Sequence, residues 1–345
     1  MTSQHEHRKD EHVSIAQHFF NTKKPTNDFA SVRFVPQQLA RTSIAAIDYQ
    51  TQIGGVSLAH PFYIEAMTGG SEQTGRLNKR LALITRETGL AMAVGSQSVA
   101  LKQPELAASF QVVRQQNPTG VIIANIGADH SGQEAQQVID MIDADLLEVH
   151  VNVAQELIMP EGNRQFNFRE NIQDILATVS VPVIVKAVGF GMSQETLLEL
   201  QDLGVQTVNI SGHGGTNFAQ IENFRRPHKE MTYLTDWGLS TVESILESQP
   251  LQSQLAIISS GGIQDPNQVA KALALGSSAV GVAGYFLNQL FHFTDEEIIT
   301  NIQEWQYGIK SIMAMLNAPT LAKLRQTPVI FDEKLQNYRQ QRHLN

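Results

Sequence analysis

Cysteine is absent from all 345 residues. Its absence removes disulfides, thiolate nucleophiles, iron–sulfur clusters and cysteine-ligated zinc together, and it fits a reducing cytosol. Charge is sparse. Asp, Glu, Lys and Arg make up 17% of the chain against 42% hydrophobic residues, a balance that supports a large core and argues against disorder. Positive charge is scarcer still: 25 Lys and Arg face 34 Asp and Glu, for a formal net charge of −9. Such a chain is a poor general binder of nucleic acid or anionic membrane, although a local basic patch can hold an anion. No stretch approaches the roughly 18 apolar residues of a spanning helix. The opening MTSQHEHRKDEHVSIAQHFF is too charged for a signal peptide. The expectation is a soluble cytoplasmic enzyme.

What is present is a regular alternation. Short β-rich runs occur at 62–68, 90–96, 120–128, 145–152, 181–189, 206–212, 254–262 and 278–284. Helical patterns lie between them, at 72–88, 104–117, 131–142, 168–178, 193–203, 239–248 and 265–275, with more helix over 286–316. Eight strand–helix units predict a (β/α)8 TIM barrel. An open doubly wound sheet is the alternative, but no GxGxxG follows the first strand. We expect one domain over 1–345: an N-terminal covering segment at 1–60, the barrel at 61–290, and C-terminal helices and tail at 291–345. Within the first segment HVSIAQHFFN reads as a short amphipathic helix and PTNDFASVRFVP as a loop.

The fourth run is the most informative. Leu147, Val149, Val151 and Val153 share one face and should pack on helices; Leu146, Glu148, His150 and Asn152 share the other and should point into the barrel. Barrel enzymes place their chemistry at the C-terminal ends of the strands. His150 and Asn152 therefore belong at the mouth, with Gln155 and Glu156 just above. A lone histidine there reads as a self-satisfied core group; four polar groups converging at one strand end favour function. Other strands end alike, at Thr68 with two glycines, at GSQS (95–98), at Asn125, at Lys186 and at Ser211. Taken singly, each is an ordinary loop residue. Lys186 ends an apolar run and needs an anionic partner if it is buried.

The seventh strand ends SSGGI (259–263) and the eighth GVAGYF (281–286). Glycine-rich turns and helix N-termini at these two positions make a phosphate site. With MTGG, Lys186 and SGHGGT (211–216), the set resembles FMN-binding barrels rather than phosphosugar barrels. More specific are HRKDEHV (7–13), EVHVNVAQELIMPEGNRQF (148–166), VIVKAVGFGMS (183–193) and ISGHGGTNFAQIE (210–222). Over nearly its whole length the chain resembles the type 2, FMN-dependent isopentenyl-diphosphate isomerases. One departure is Ala187, where many relatives are expected to carry an acidic residue.

That resemblance implies an isomerase of isoprenoid biosynthesis. It would interconvert isopentenyl and dimethylallyl diphosphate with reduced FMN and Mg2+, using NADPH as reductant, as a tetramer or octamer. FMN would contact Ala66, Met67, Thr68, Ser96, Asn125, Lys186, Ser211, Thr216, Gly261, Gly262, Ile263, Ala283 and Gly284. Arg8 and Lys9, of this chain or of a neighbouring subunit, would bind the diphosphate, and His150 and Asn152 would help position it. Gln155 would lie beside the isoprenoid carbons as a catalytic relay or orienting group, and Glu156 would hold Mg2+. A flavin-dependent 2-hydroxy-acid oxidase, with His213 as base, is the competing enzyme. Those enzymes want an arginine soon after the glycines, and here Thr216 and Asn217 stand instead. A non-catalytic flavin-binding scaffold would need neither Arg8-Lys9 nor Gln155-Glu156.

Overall fold

Each of the eight β-rich runs contains one strand of a closed parallel barrel. The computed structural model describes residues 4–22 and 28–344, with side chains from residue 8 onward. The strands are β1 (Phe62–Ile64), β2 (Met92–Ala93), β3 (Ile122–Gly127), β4 (Leu146–Val151), β5 (Val183–Ala187), β6 (Thr207–Asn209), β7 (Ala256–Ser260) and β8 (Ala279–Val282). They pair in sequence order, and β8 closes on β1 through Val280 beside Phe62. This is a TIM barrel, with helices on the outside. The predicted helices appear within a few residues of their expected bounds; the second begins as a 3-10 turn, Pro104–Ala107. The stretch 286–316 is broken into two helices, Gly284–His292 and Asp295–Met315. Thr294 caps the second by accepting from the Glu297 amide, a break that hydrophobic periodicity does not register.

The pleat sorts the residues as expected along β4. Leu147, Val149 and Val151 join the core between strands and helices. Leu146 faces inward, among Tyr63, Ala91, Ala93, Ile123, Ile184, Ile258 and Ala279. This apolar layer fills the lower barrel. Beneath it, Thr51–Ile53 and Val56–Leu58 form an antiparallel hairpin whose Ile53 and Leu58 plug the N-terminal end. Gly54, at a φ of 56°, turns it, and a Cβ there would meet Pro182 Cβ at 2.5 Å.

Two expectations are corrected. Val153 does not extend the outer face of β4. The strand stops at Val151, and Val153 opens a short helix, Val153–Ile158, with 42% of its surface exposed. The stretch 25–36 is not wholly loop either. Residues 25–27 lie outside the described residues, but Val32–Phe34 pairs antiparallel with Val329–Phe331 and so ties the N-terminal segment to the C-terminal one. The helix expected within 12–21 runs from Gln4 to Thr22.

The C-terminal helix Glu333–Gln341 is fastened by one carboxylate. The buried Glu247 accepts from Tyr338 Oη at 2.6 Å, from Arg342 Nε at 2.7 Å and from the Gln194 amide at 2.9 Å. Burial opposes ionisation, but these donors outweigh it and hold the carboxyl below its ordinary range. Its contribution is therefore present above the ordinary carboxylate range and lost as pH falls. Glu247→Ala should cost roughly 1–3 kcal/mol. In circular dichroism melts its Tm should fall below wild type by several degrees at neutral pH, and the gap should narrow in acid.

Candidate functional site

At the C-terminal ends of the strands the barrel opens into a cavity of about 630 Å³. Its floor is a buried ionic cluster. Lys186 on β5 places Nζ 2.5 Å from Glu65 Oε1 and 3.2 Å from Glu148 Oε2. Tyr63 Oη lies 3.0 Å from Glu65 Oε2 and 3.1 Å from Glu148 Oε1. Asn209 Nδ2 donates to Glu65 Oε2 at 2.6 Å, and Asn125 Nδ2 to Glu148 Oε2 at 3.1 Å. Burial opposes charging Lys186, but the two carboxylates outweigh it and raise its pKa. Burial opposes charging Glu65 as well; Lys186 and the Ala66 amide more than offset it. Glu148 goes the other way, pushed to about 7 by burial and by Glu65.

The wall above β4 follows from where that strand ends. Asn152 takes the cap position of helix Val153–Ile158, but its side-chain oxygen caps no helix N–H, and its Nδ2 donates to Glu156 Oε1 at 2.9 Å. The second carboxylate oxygen of Glu156 accepts from the Asn163 amide at 2.6 Å. Arg164 wraps the same loop by donating to the carbonyls of Glu156 and Met159. Gln155, one residue earlier, points to the other side and donates Nε2 to Glu222 Oε1 at 3.0 Å. Glu222 is fully buried. Burial pushes its pKa up, but His12, Gln155 and Arg225 outweigh that and hold it at about 2, so it is an anion. His150 donates Nδ1–H to Asn125 Oδ1 at 3.0 Å, a tautomer assigned from the amide's other bond to Glu148. Burial and then Lys186 and Lys9 depress its pKa to about 3, so its ring is neutral.

The roof is the N-terminal helix of the same chain. Asp10 accepts from Ser71 Oγ at 2.5 Å, Glu11 from Arg225 Nε at 3.0 Å, and Gln17 from Asn288 Nδ2 at 3.1 Å; His12 Nε2 stands 3.1 Å from Glu222 Oε1. This seating brings Arg8 and Lys9 over the cavity. Lys9 Nζ donates to the Ser96 carbonyl at 3.0 Å, and Arg8 NH1 is 3.7 Å from Glu161. Across the mouth, the loops after β6 and β7 approach backbone to backbone. A Cβ at Gly215 would lie 2.5 Å from the Gly262 nitrogen, and one at Gly261 would lie 2.1 Å from the Gly212 carbonyl. Ala283 opens helix Gly284–His292 without a side-chain cap, which leaves its first N–H groups for another acceptor.

The cavity is thus lined by Ala66, Met67, Ser96, Asn125, Lys186, Ser211, Thr216, Gly261, Gly262, Ile263, Ala283 and Gly284, and by Arg8, Lys9, His150, Asn152, Gln155 and Glu156. Thr68 is not among the lining residues. It is buried and gives its hydroxyl to Asn78 at 2.5 Å. Among the described residues no three His, Asp or Glu side chains gather into a metal cage. Sequence reading passed over Glu222, His12, Arg225 and the partnership of Glu65, Glu148 and Tyr63. A charged residue inside the apolar run FYIEAMT was a usable signal for Glu65. Glu222, on the helix Phe218–Arg225, carried none, because a helix carboxylate is ordinarily solvated.

The family model described as FMN-dependent dehydrogenase matches residues 125–330. An isopentenyl-diphosphate delta-isomerase of Latilactobacillus sakei subsp. sakei is 49% identical over 98% of this chain and 97% of its own length. This chain belongs to the isopentenyl-diphosphate delta-isomerase family. One of Staphylococcus haemolyticus is 46% identical, over 99% of this chain and 98% of its own. The protein is accordingly an enzyme and an isomerase. Solved structures share its fold: a flavocytochrome b2 variant (TM-score 0.66, 17% identity, 97% of this chain and 84% of that one) and a mandelate oxidase variant (0.64, 17%, 93% and 92%). The oxidase reading of this chain finds no support in the loop after β6. His213 Nε2 lies 3.2 Å from the Thr235 carbonyl and 3.2 Å from Asn217 Nδ2, and Thr216 and Asn217, not an arginine, come directly after the glycines.

Lys9 carries a direct consequence. Burial, and then Arg8, lower its pKa to about 8. A bound polyanion favours the charged form, so affinity should fall as pH rises above about 8. Calorimetric titration with inorganic diphosphate should show this weakening, and Lys9→Gln should remove that step while lowering affinity at neutral pH.

Proposed function

We propose that this isomerase moves a double bond in isopentenyl diphosphate, giving dimethylallyl diphosphate by 1,3-allylic proton transfer, with reduced FMN and Mg2+ bound at the barrel mouth and NADPH as reductant. One juxtaposition carries the reading. A basic pair and the Glu156 carboxylate stand at the upper rim, and a buried amide stands beneath them beside a backbone cradle. The first set suits a metal-bound diphosphate and the second a neutral carbon skeleton against a flat cofactor. The cradle suits the phosphate of FMN: glycines let the loops after β6 and β7 pack backbone to backbone beside the mouth, and the helix at Gly284 has no side-chain cap on its first N–H groups. A cavity of this size holds a cofactor-sized ligand.

The reduced isoalloxazine supplies an acid–base group at N5 that can exchange a proton with carbon without net oxidation. The chain's residues do the rest. Arg8, Lys9, His150 and Asn152 hold the diphosphate, which undergoes no chemistry and serves to orient the carbons. Glu156 would hold the metal ion through its remaining lone pairs, and diphosphate and water would supply the other oxygen ligands. Gln155 is fixed by Glu222, so its carbonyl oxygen has a set direction. A neutral amide is too weak a base to carry the transfer alone; it orients or relays the proton. Lys186 would offer a cation to the reduced ring. A cytoplasmic location and a homo-oligomer, tetramer or octamer, belong to the same proposal.

The test is an anaerobic assay counting dimethylallyl diphosphate formed and reductant used. Activity should require reduced flavin and consume far less than one reductant per turnover; stoichiometric consumption refutes the reading. Gln155→Ala should lower kcat by roughly tenfold or more, with little change in FMN affinity. Glu156→Gln should weaken the Mg2+ dependence while FMN stays bound, and an unchanged Mg2+ titration removes Glu156 from the metal site.

A further inference from the structure

At the floor of the cavity the Tyr63 phenol meets more carboxylate oxygens than it has protons for. Tyr63 Oη is within 3.1 Å of a carboxylate oxygen of both Glu65 and Glu148, yet a phenol has one proton to give. Asn209 Nδ2, 3.2 Å away, supplies the phenol oxygen with a donor but does not relieve the shortage. Glu65 is well provided for as an anion, accepting from Lys186, Asn209 and the Ala66 amide. Glu148 Oε2 accepts from Asn125 and Lys186, whereas the phenol is the donor that meets Oε1 among the described residues, and the carboxyl also meets the Glu65 carboxylate. If both carboxyls are ionised, one of the two phenol contacts holds two lone pairs against each other in a site closed to water. One proton on Glu148 Oε1, donated to Tyr63, with Tyr63 donating to Glu65, gives both phenol contacts a hydrogen.

We propose that Glu148 holds a proton at neutral pH and is a positioning residue for the cofactor's charge, completing its protonation when negative charge arrives above Lys186. The proposal rests on the flavin reading above. The groups facing Glu148 are few: Tyr63 from β1 and Glu65 just after it, Asn125 from β3, Lys186 from β5, and His150 on its own strand, which stays neutral. Leu146, Ile123 and Ile184 close the space below. The charge count is then simple. Lys186 and ionised Glu65 cancel, and protonated Glu148 adds nothing. Reduction to the anionic ring brings in two electrons from NADPH or dithionite and one proton. Wherever Glu148 is already ionised, a second proton enters from solvent to Glu148, because a new anion near Lys186 withdraws part of the cation that had stabilised the carboxylate. The upward shift of this carboxyl to about 7 puts that range at the physiological boundary.

Two experiments on the cofactor-free chain test the proton alone. Difference infrared spectroscopy should show the carbonyl stretch of a buried protonated carboxyl at neutral pH, moving on transfer to D2O and absent in Glu148→Gln. A raised carboxyl gives its full stabilisation below the ordinary carboxylate range and loses it as pH rises to about 7. The Tm of Glu148→Gln, a neutral isostere, should therefore gain on wild type across that window. Glu65→Gln should instead destabilise throughout, since it takes the anion from Lys186. On the holoenzyme, the plot of flavin midpoint potential against pH should double its slope above the wild-type titration and keep one slope in Glu148→Gln. Absence of the band, or a band surviving in Glu148→Gln, overturns the stored proton; equal slopes in both proteins overturn the coupling. A failure to bind FMN would sink the flavin reading instead, and the two cofactor-free measurements would still decide the proton.

Discussion

A lysine ammonium shut inside a barrel is the constraint on which the upper half of this molecule depends. Lys186 sits where β5 meets the mouth, away from bulk water. Left alone it would lose its charge or destabilise the fold. Glu65 answers it from the end of β1 and Glu148 from β4, and Asn209 and Asn125 brace the carboxylates from β6 and β3. Five of the eight strands are thereby joined across the barrel axis by polar contacts, above a layer joined only by packing. The boundary between the layers sets the depth of the cavity. Gly281 belongs to the same constraint, since a Cβ there would stand 2.3 Å from Glu65 Oε2.

The acidic balance of the chain and the basic rim of its site are compatible because the cations near the mouth are used in different ways. Arg225 is spent on structure, bound by Glu11, Glu161 and Glu222. Lys186 is spent on the floor. Among the described residues Arg8 meets Glu161 at 3.7 Å and the Met159 sulfur, and Lys9 meets the Ser96 carbonyl. Local supply of positive charge to a ligand depends on which cations remain uncommitted, not on the total.

Strand count, barrel closure and the polar face of β4 were legible because each is written in local periodicity: two along a strand, and about 3.6 along the intervening helices. The cradle was legible too, since glycines at the ends of β7 and β8 have few other reasons to cluster. Val153 was misplaced because a valine after Val149 and Val151 continues the alternation, and nothing local shows that Asn152 ends the strand. Thr68 was placed at the mouth for its position, but its hydroxyl is drawn to Asn78 on helix Glu72–Thr88. Glu222 lay within a quoted motif and still went unnoticed, since its meaning comes from Gln155, His12 and Arg225. Those contacts span up to 210 residues of sequence and are visible only in three dimensions.

The roof helix has a consequence for the order of events in the life of the chain. Residues 4–22 leave the ribosome before any strand of the barrel, but the side chains that seat them include Glu222, Arg225 and Asn288. Val32–Phe34 waits longer still, for Val329–Phe331. Synthesis therefore runs from the covering to the covered. The cradle itself is made late, since its glycines fall at 212–215, 261–262 and 284, and the roof helix waits until then for its seats. Such long-range closure is slow relative to local helix formation, which leaves an interval in which a large flat ligand meets an uncovered barrel.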